Sequence, residues 1–161
     1  MFKHILIPLD GSAYGERVLS YAPDLAGLAD ARVTLISVVP AEGPTSEREH
    51  VATETERARA YLEQHASALR ATGIEGVVET DVRSGRTTQV IPEAARELAV
   101  DLIAMCTQGL GAESDEGLGS VASKVLMSAP CPVFMVRIHR PDPPRGVAEE
   151  RWQSEGGANV G

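Results

Sequence analysis

The sequence predicts one α/β domain built on a parallel sheet. Short apolar runs alternate with stretches whose apolar residues recur every three or four positions, which is the pattern of βαβ units. The run Leu102-Ile103-Ala104-Met105-Cys106 is continuously apolar, as a strand covered on both faces requires. With 161 residues the chain is long enough to bury about two-thirds of the surface its unfolded form exposes, so no disulfide or structural metal is needed.

The elements follow in order. A first strand is expected from about His4 to Leu9, and Asp10-Gly11-Ser12 then supplies a turn with cap-forming side chains. Val18, Ala22, Leu25, Ala26 and Ala29 mark one helix ending near Asp30-Ala31, its apolar stripe turned to a sheet. The β-branched run from Val33 to Val39 is a second strand, closed by Pro40 and Gly43-Pro44. From about Ser46 to Ala71 a long helix places Val51, Thr55, Ala58, Leu62, His65, Ala66 and Leu69 on one side and ends at Gly73. Val77 to Val82 alternates partly between apolar and polar residues, which puts this third strand near the sheet margin. A third helix runs from about Thr88 to Leu98, where Pro92 is tolerable in the early turns. After the fourth strand, Thr107 to Leu118 form a glycine-bearing loop, and Gly119-Ser120 opens a fourth helix carrying Val121, Val125, Leu126 and Ala129. Pro130-Cys131-Pro132 stops it, and Val133 to Val136 make a fifth strand. Beyond Ile138 the composition turns to Pro, Gly, Arg and Glu with Trp152 alone as a large apolar residue. The expected division is a domain over 1–138 and a flexible tail over 139–161.

Composition removes several functions. The formal net charge of −8 repels a nucleic-acid backbone and an anionic bilayer, so neither is expected as a partner. No apolar run approaches the ~20 residues of a spanning helix. Ile5-Leu6-Ile7 is interrupted by Pro8 and closed by Asp10, too short for a secretory signal, so a cytoplasmic location is expected. Cys106 and Cys131 form no CxxC pair, and His50 and His65, ~22 Å apart on one helix, cannot grip one metal. No GxSxG, GxxxxGK[ST] or HExxH motif occurs.

In an open parallel sheet, ligands sit beyond the carboxyl ends of the strands where the strand order reverses. Two loops there stand out. Asp10-Gly11-Ser12 follows the first strand, and the glycine loop leads into Gly119-Ser120, a helix start whose unpaired amides suit a phosphate. Asp10 suits a ribose hydroxyl or a bridging Mg²⁺.

These residues resemble the universal stress protein family, whose nucleotide-binding members carry G-x2-G-x9-G-[ST] after the fourth strand. Gly109 matches the second glycine, Leu110 to Leu118 are the nine spacers, and Gly119-Ser120 match the closing pair. ILIPLDGS at Ile5 to Ser12, DLIAM at Asp101 to Met105 and SVASKVLMSAPCPVFMVR at Ser120 to Arg137 are similar to that family's signatures. The resemblance implies a flavodoxin-like, Rossmann-like three-layer sandwich with a five-stranded parallel sheet in the order 3-2-1-4-5. It implies ATP or another adenine nucleotide, with or without Mg²⁺, bound between strands one and four. By matching positions, Asp10 faces ribose or metal, the Val38 backbone meets adenine, and Gly109, Gly119, Ser120 and Val121 surround the phosphates, while Pro8, Leu9 and Met105 form walls. It also implies a homodimer joined through Val133, Phe134, Met135 and Val136, which that strand order leaves as an apolar edge.

Three departures bear on binding. Cys106 stands at the first glycine of the pattern, Gln108 replaces the usual His, and the spacers contain Glu113, Asp115 and Glu116 with no Lys or Arg. A carboxylate ~6 Å from a phosphate costs about 0.7 kcal/mol at water-like dielectric. Three such contacts cost roughly 2 kcal/mol, or about 30-fold in dissociation constant, against ~0.3–2 kcal/mol from the helix terminus. Weakened ATP binding is the expectation. The plainer readings are that Asp10 caps the first helix, that Cys106 and Cys131 are packed apolar residues, that Ser12 and Ser120 start helices, that Lys124 is solvated, and that Phe134 is core. The expected function is that of a stress-response regulator with weak or no turnover. Its rivals are a nucleotide-free dimeric interaction protein of the same fold and a slow ATPase or phosphotransferase.

Overall fold

The computed structural model describes residues 2–27, 31–39, 41, 48–74, 76–109 and 117–137. Five strands form one parallel sheet: β1 (His4–Pro8), β2 (Arg32–Val39), β3 (Val78–Ser84), β4 (Leu102–Cys106) and β5 (Val133–Val136), in the order β3-β2-β1-β4-β5. The helices are α1 (Ala22–Gly27), α2 (Arg48–Ala71), α3 (Thr87–Glu97) and α4 (Ser120–Ser128). The strand order reverses between β1 and β4, so the loops leaving these two strands diverge to opposite sides of one crevice.

Strand alternation sorts the core into two layers. Ile5, Ile7, Val33, Leu35, Leu102, Ala104 and Cys106 pack on one face with Ala22 and Ala26 of α1 and Leu62 and Ala66 of α2. Leu6, Ile36, Ile103 and Met105 pack on the other with Ile91, Ala94 and Ala95 of α3 and Ala122 and Val125 of α4. β1 is wholly covered except at its carboxyl end, while β3, at the margin, is buried only at Val78 and half-exposed along most of its length. The marginal position read from its alternating sequence is therefore correct, although the strand runs two residues beyond Val82.

The helix expected after the first turn divides in two. Gly15–Tyr21 winds as a 3₁₀ segment, and α1 begins only at Ala22. Pro23 is the physical reason: it has no N–H to donate to the carbonyl of residue 19, and its ring crowds that carbonyl. The narrower 3₁₀ winding, in which the Ala22 amide bonds to Leu19, accommodates this. At the amino end of the sheet, Asp101 accepts from the amides of Lys3 and His4 at 2.8 and 3.1 Å. The buried His4 ring bridges Leu98 O (3.0 Å) and Thr34 Oγ1 (2.8 Å). The end opposite the crevice is thus closed by polar side chains. The segment expected as a tail, 139–161, lies outside the described residues.

Candidate functional site

Asp10 stands at the carboxyl end of β1, where the backbone leaves the sheet. Its Oδ1 accepts the Ser12 amide at 3.0 Å and the Ser12 hydroxyl at 2.6 Å, while Ser12 Oγ accepts the Gly15 amide at 3.0 Å. The carboxylate therefore fixes the turn, and the amide at the start of the 3₁₀ segment is satisfied by Ser12. Ser12 is a helix starter, as its sequence position suggests. The other carboxylate oxygen packs against Gly109, where an added Cβ would collide with it, and a Cβ on Gly15 would come within 2.7 Å of Oδ1. Two glycines from distant parts of the chain make room for one carboxylate.

The second loop enters α4 by a tight approach. The Gly119 amide donates to Thr107 O at 2.7 Å, and a Cβ on Gly119 would lie 3.0 Å from that carbonyl. Gly119 is the N-cap and offers no side-chain cap, so the first-turn amides of Ser120, Val121 and Ala122 have no acceptor within the helix. They open at the positive end of the α4 dipole, as an anion site needs.

Between the loops lies a cavity of about 440 Å³, inside the ~300–1,000 Å³ range of small-molecule sites. Pro8, Leu9, Asp10, Val38, Met105, Gly109, Gly119, Ser120 and Val121 all line it. Its apolar floor belongs to the α3/α4 face, where Ile36, Val38, Ile91 and Met105 meet. Thr87, Ser37, Ile36 and Ile91 line it as well and were not singled out from the sequence; Gln108, noted there only as a replacement, also lines it. Ile36 and Ile91 read simply as core, and Thr87 carries no signal beyond its place at the start of α3. Lys124 is exposed and does not line the cavity.

Cys106 also lines this cavity, with its thiol turned toward the α1/α2 layer. It shares the layer of Leu102 and Ala104, and its Sγ lies 3.5 Å from Gly15 O as a donor. Burial pushes its thiol up, with the Asp10 charge adding to the rise. Cys131 is also raised by burial. Both behave as packed apolar residues.

β5 forms one edge of the sheet. Val133 and Met135 pack partly buried against the α3/α4 layer. Phe134 packs inward against the α1/α2 layer, its ring 5.8 Å from that of Tyr21. Among the described residues, no group of three or more His, Cys, Asp or Glu side chains is placed to hold a metal ion, and no helix is long and apolar enough to cross a membrane. Glu113, Asp115 and Glu116 lie outside the described residues.

This architecture defines a doubly wound α/β protein with a glycine-walled cavity at the switch point of its sheet. The model of the Universal stress protein family matches residues 1–137, and the chain belongs to that family. A curated universal stress protein relative from Staphylococcus haemolyticus is 33% identical over 141 residues, covering 84% of this chain and 85% of the relative. Among solved structures, a universal stress protein family member from Burkholderia pseudomallei is 28% identical, with a TM-score of 0.66 over 84% of this chain and 96% of its own. Universal stress protein UspA from Lactobacillus plantarum, at 24% identity, shares the fold with a TM-score of 0.75 over 84% of this chain and 97% of its own.

Proposed function

We propose that this chain binds an adenine nucleotide in the switch-point cavity and serves as a nucleotide-responsive regulator with little or no turnover. The observation that carries this reading is the meeting of the Asp10 turn, Gly109 and the open first turn of α4 around one cavity of nucleotide size. Asp10 is the residue to hold ribose or a phosphate-bound Mg²⁺, the Val38 backbone to meet adenine, and Gly109, Gly119, Ser120 and Val121 to receive phosphates. Solved neighbours of the same fold are described in complex with cAMP, with AMP bound (Arabidopsis thaliana) and in complex with dAMP (Archaeoglobus fulgidus). At 20%, 16% and 23% identity they share the fold, and this chain's own residues argue for the ligand. Among the described residues, none that lines the cavity is an arginine or lysine placed to stabilise a transferring phosphoryl group, and slow or absent turnover is expected on that ground.

Calorimetry with MgATP, ADP and AMP tests this. The expected result is binding with a dissociation constant above about 1 μM, weakened by Glu113, Asp115 and Glu116. Absence of heat for all three, together with no nucleotide in the intact-mass spectrum of the purified protein, would overturn it. The unpaired edge of β5 favours a homodimer joined through Val133, Phe134, Met135 and Val136. Light scattering after gel filtration is expected to give twice the chain mass, and a monomer at high concentration would remove the dimer.

A further inference from the structure

A second set of titratable side chains reaches the Asp10 turn from the opposite side of the cavity. Glu16 follows Gly15 directly at the start of the 3₁₀ segment. Tyr61 and His65, one turn apart on α2, meet edge-on with ring centroids 4.7 Å apart at 75°. Both converge on one carboxylate oxygen. The Tyr61 hydroxyl donates to Glu16 Oε1 at 3.0 Å, and His65 Nε2 lies 3.4 Å from the same atom. The His65 side chain is 20% exposed and that of Glu16 33%, so water screens the pair only in part. Tyr61 is itself pushed well above the usual phenol range, first by burial and then by Glu16, with Asp10 adding and the Gly11 backbone opposing. The phenol therefore lies within the field of the Asp10 turn.

Two sets of polar contacts consequently meet at the neighbouring residues Gly15 and Glu16. From one side Gly15 donates to Ser12 and Ser12 to Asp10; from the other, α2 holds Glu16 through Tyr61 and His65. We propose that Tyr61 and His65 are positioning residues for the Asp10–Ser12 turn, and that protonation of His65 strengthens the hold of the adjoining cavity on an anionic ligand. For the ligand, this rests on the nucleotide reading above. A cationic imidazole bonds Glu16 more strongly than a neutral one and fixes the 3₁₀ segment behind the turn. It also offsets the Glu16 charge, which with Asp10 opposes an incoming anion. Glu16 of the 3₁₀ segment contacts both rings, and Asp10, beyond the end of β1, acts on the Tyr61 phenol.

The test follows the backbone amides of Gly11 and Ser12 by NMR in the ligand-free protein from about pH 5.5 to about pH 8, the range of an imidazole. These amides are expected to shift with the midpoint of the His65 ring. In Glu16→Gln, which removes the carboxylate that links His65 to the 3₁₀ segment, they are expected to stay flat. The binding probe is cAMP, a phosphodiester that exchanges no proton in this range. Its affinity is expected to rise about two- to fivefold from the alkaline to the acidic end in the parent, and to lose that slope in His65→Gln. A purely structural role would lower the melting temperature of these variants and leave the slope intact. Gly11 and Ser12 amides indifferent to His65, or a slope retained in His65→Gln, would overturn the proposal. If the amides follow His65 but cAMP binds at no pH, the positioning role stands and the nucleotide reading fails.

Discussion

Asp10 and Gly109, 99 positions apart in sequence, are in direct contact, with the carboxylate Oδ2 occupying the place where any side chain at 109 would project. The contact ties the loop leaving β1 to the loop leaving β4, and it depends on the absence of a Cβ. Gly109→Ala is expected to swing the Asp10 carboxylate away and break its bonds to Ser12. Nucleotide affinity, measured by calorimetry, should fall about tenfold or more, corresponding to about 1.4 kcal/mol. An alanine variant that binds as tightly as the parent would show that Asp10 does not hold the ligand.

Cys106 gives the opposite expectation although it is the nearer departure from the family pattern. Its thiol is turned to Gly15 and the α1/α2 layer. Restoring the glycine by Cys106→Gly should therefore leave affinity unchanged within about twofold. It should lower stability by about 1–2 kcal/mol through lost packing and added backbone freedom. Urea denaturation and calorimetry on the same preparation check both; a marked gain in affinity would mean that the thiol does obstruct the ligand.

His4 makes stability depend on pH. Burial holds its ring below the ordinary value of 6.5, with the Leu98 carbonyl partly opposing the shift. On acidification the unfolded chain takes up this proton first, so the contribution of neutral His4 is complete above about pH 6.5 and is lost as the pH falls through the folded-state value. Urea midpoints are expected to drop from about pH 7.5 to about pH 5 in the parent and to drop less in His4→Gln. Equal slopes would remove His4 as the cause.

The end of α3 offers a stabilising change. Ala99 has φ 52°, and the Ala99 and Val100 amides bond back to Arg96 and Ala95, the paired bonds of a glycine-type helix stop made here without glycine. Ala99→Gly should relieve the left-handed strain and raise stability by about 0.5–1 kcal/mol, or about 2 °C in melting temperature. An unchanged or lower melting temperature would count against that account.

The strands were legible because their apolar runs are short, unbroken and bounded by Gly, Pro or Asp, and even the marginal place of β3 was written in its alternation. The division of the first helix was not, since the 3₁₀ segment and α1 share one apolar spacing and differ only in how the backbone meets Pro23. Glycine spacing pointed to both loops of the cavity. The Asp10–Gly109 contact depends on β1 and β4 being neighbours, which no local pattern records. Thr87 stayed hidden because it lies on an element whose start carries no distinguishing residue. The cluster on Glu16 stayed hidden for a similar reason, as its members come from the 3₁₀ segment and α2, which have α1 and β2 between them in the sequence.

The pleat of β4 decides which replacements at the mouth of the sheet a bound molecule can feel. Even-numbered positions from 102 to 106 answer to α1 and α2, and odd-numbered ones to α3, α4 and the space above them. Cys106 borders the chamber beside Met105, yet its thiol is directed to Gly15 O and the α1/α2 layer. A change at 105 acts on the apolar floor itself, so the direction of a side chain within the strand, more than its proximity, decides which replacements the site feels.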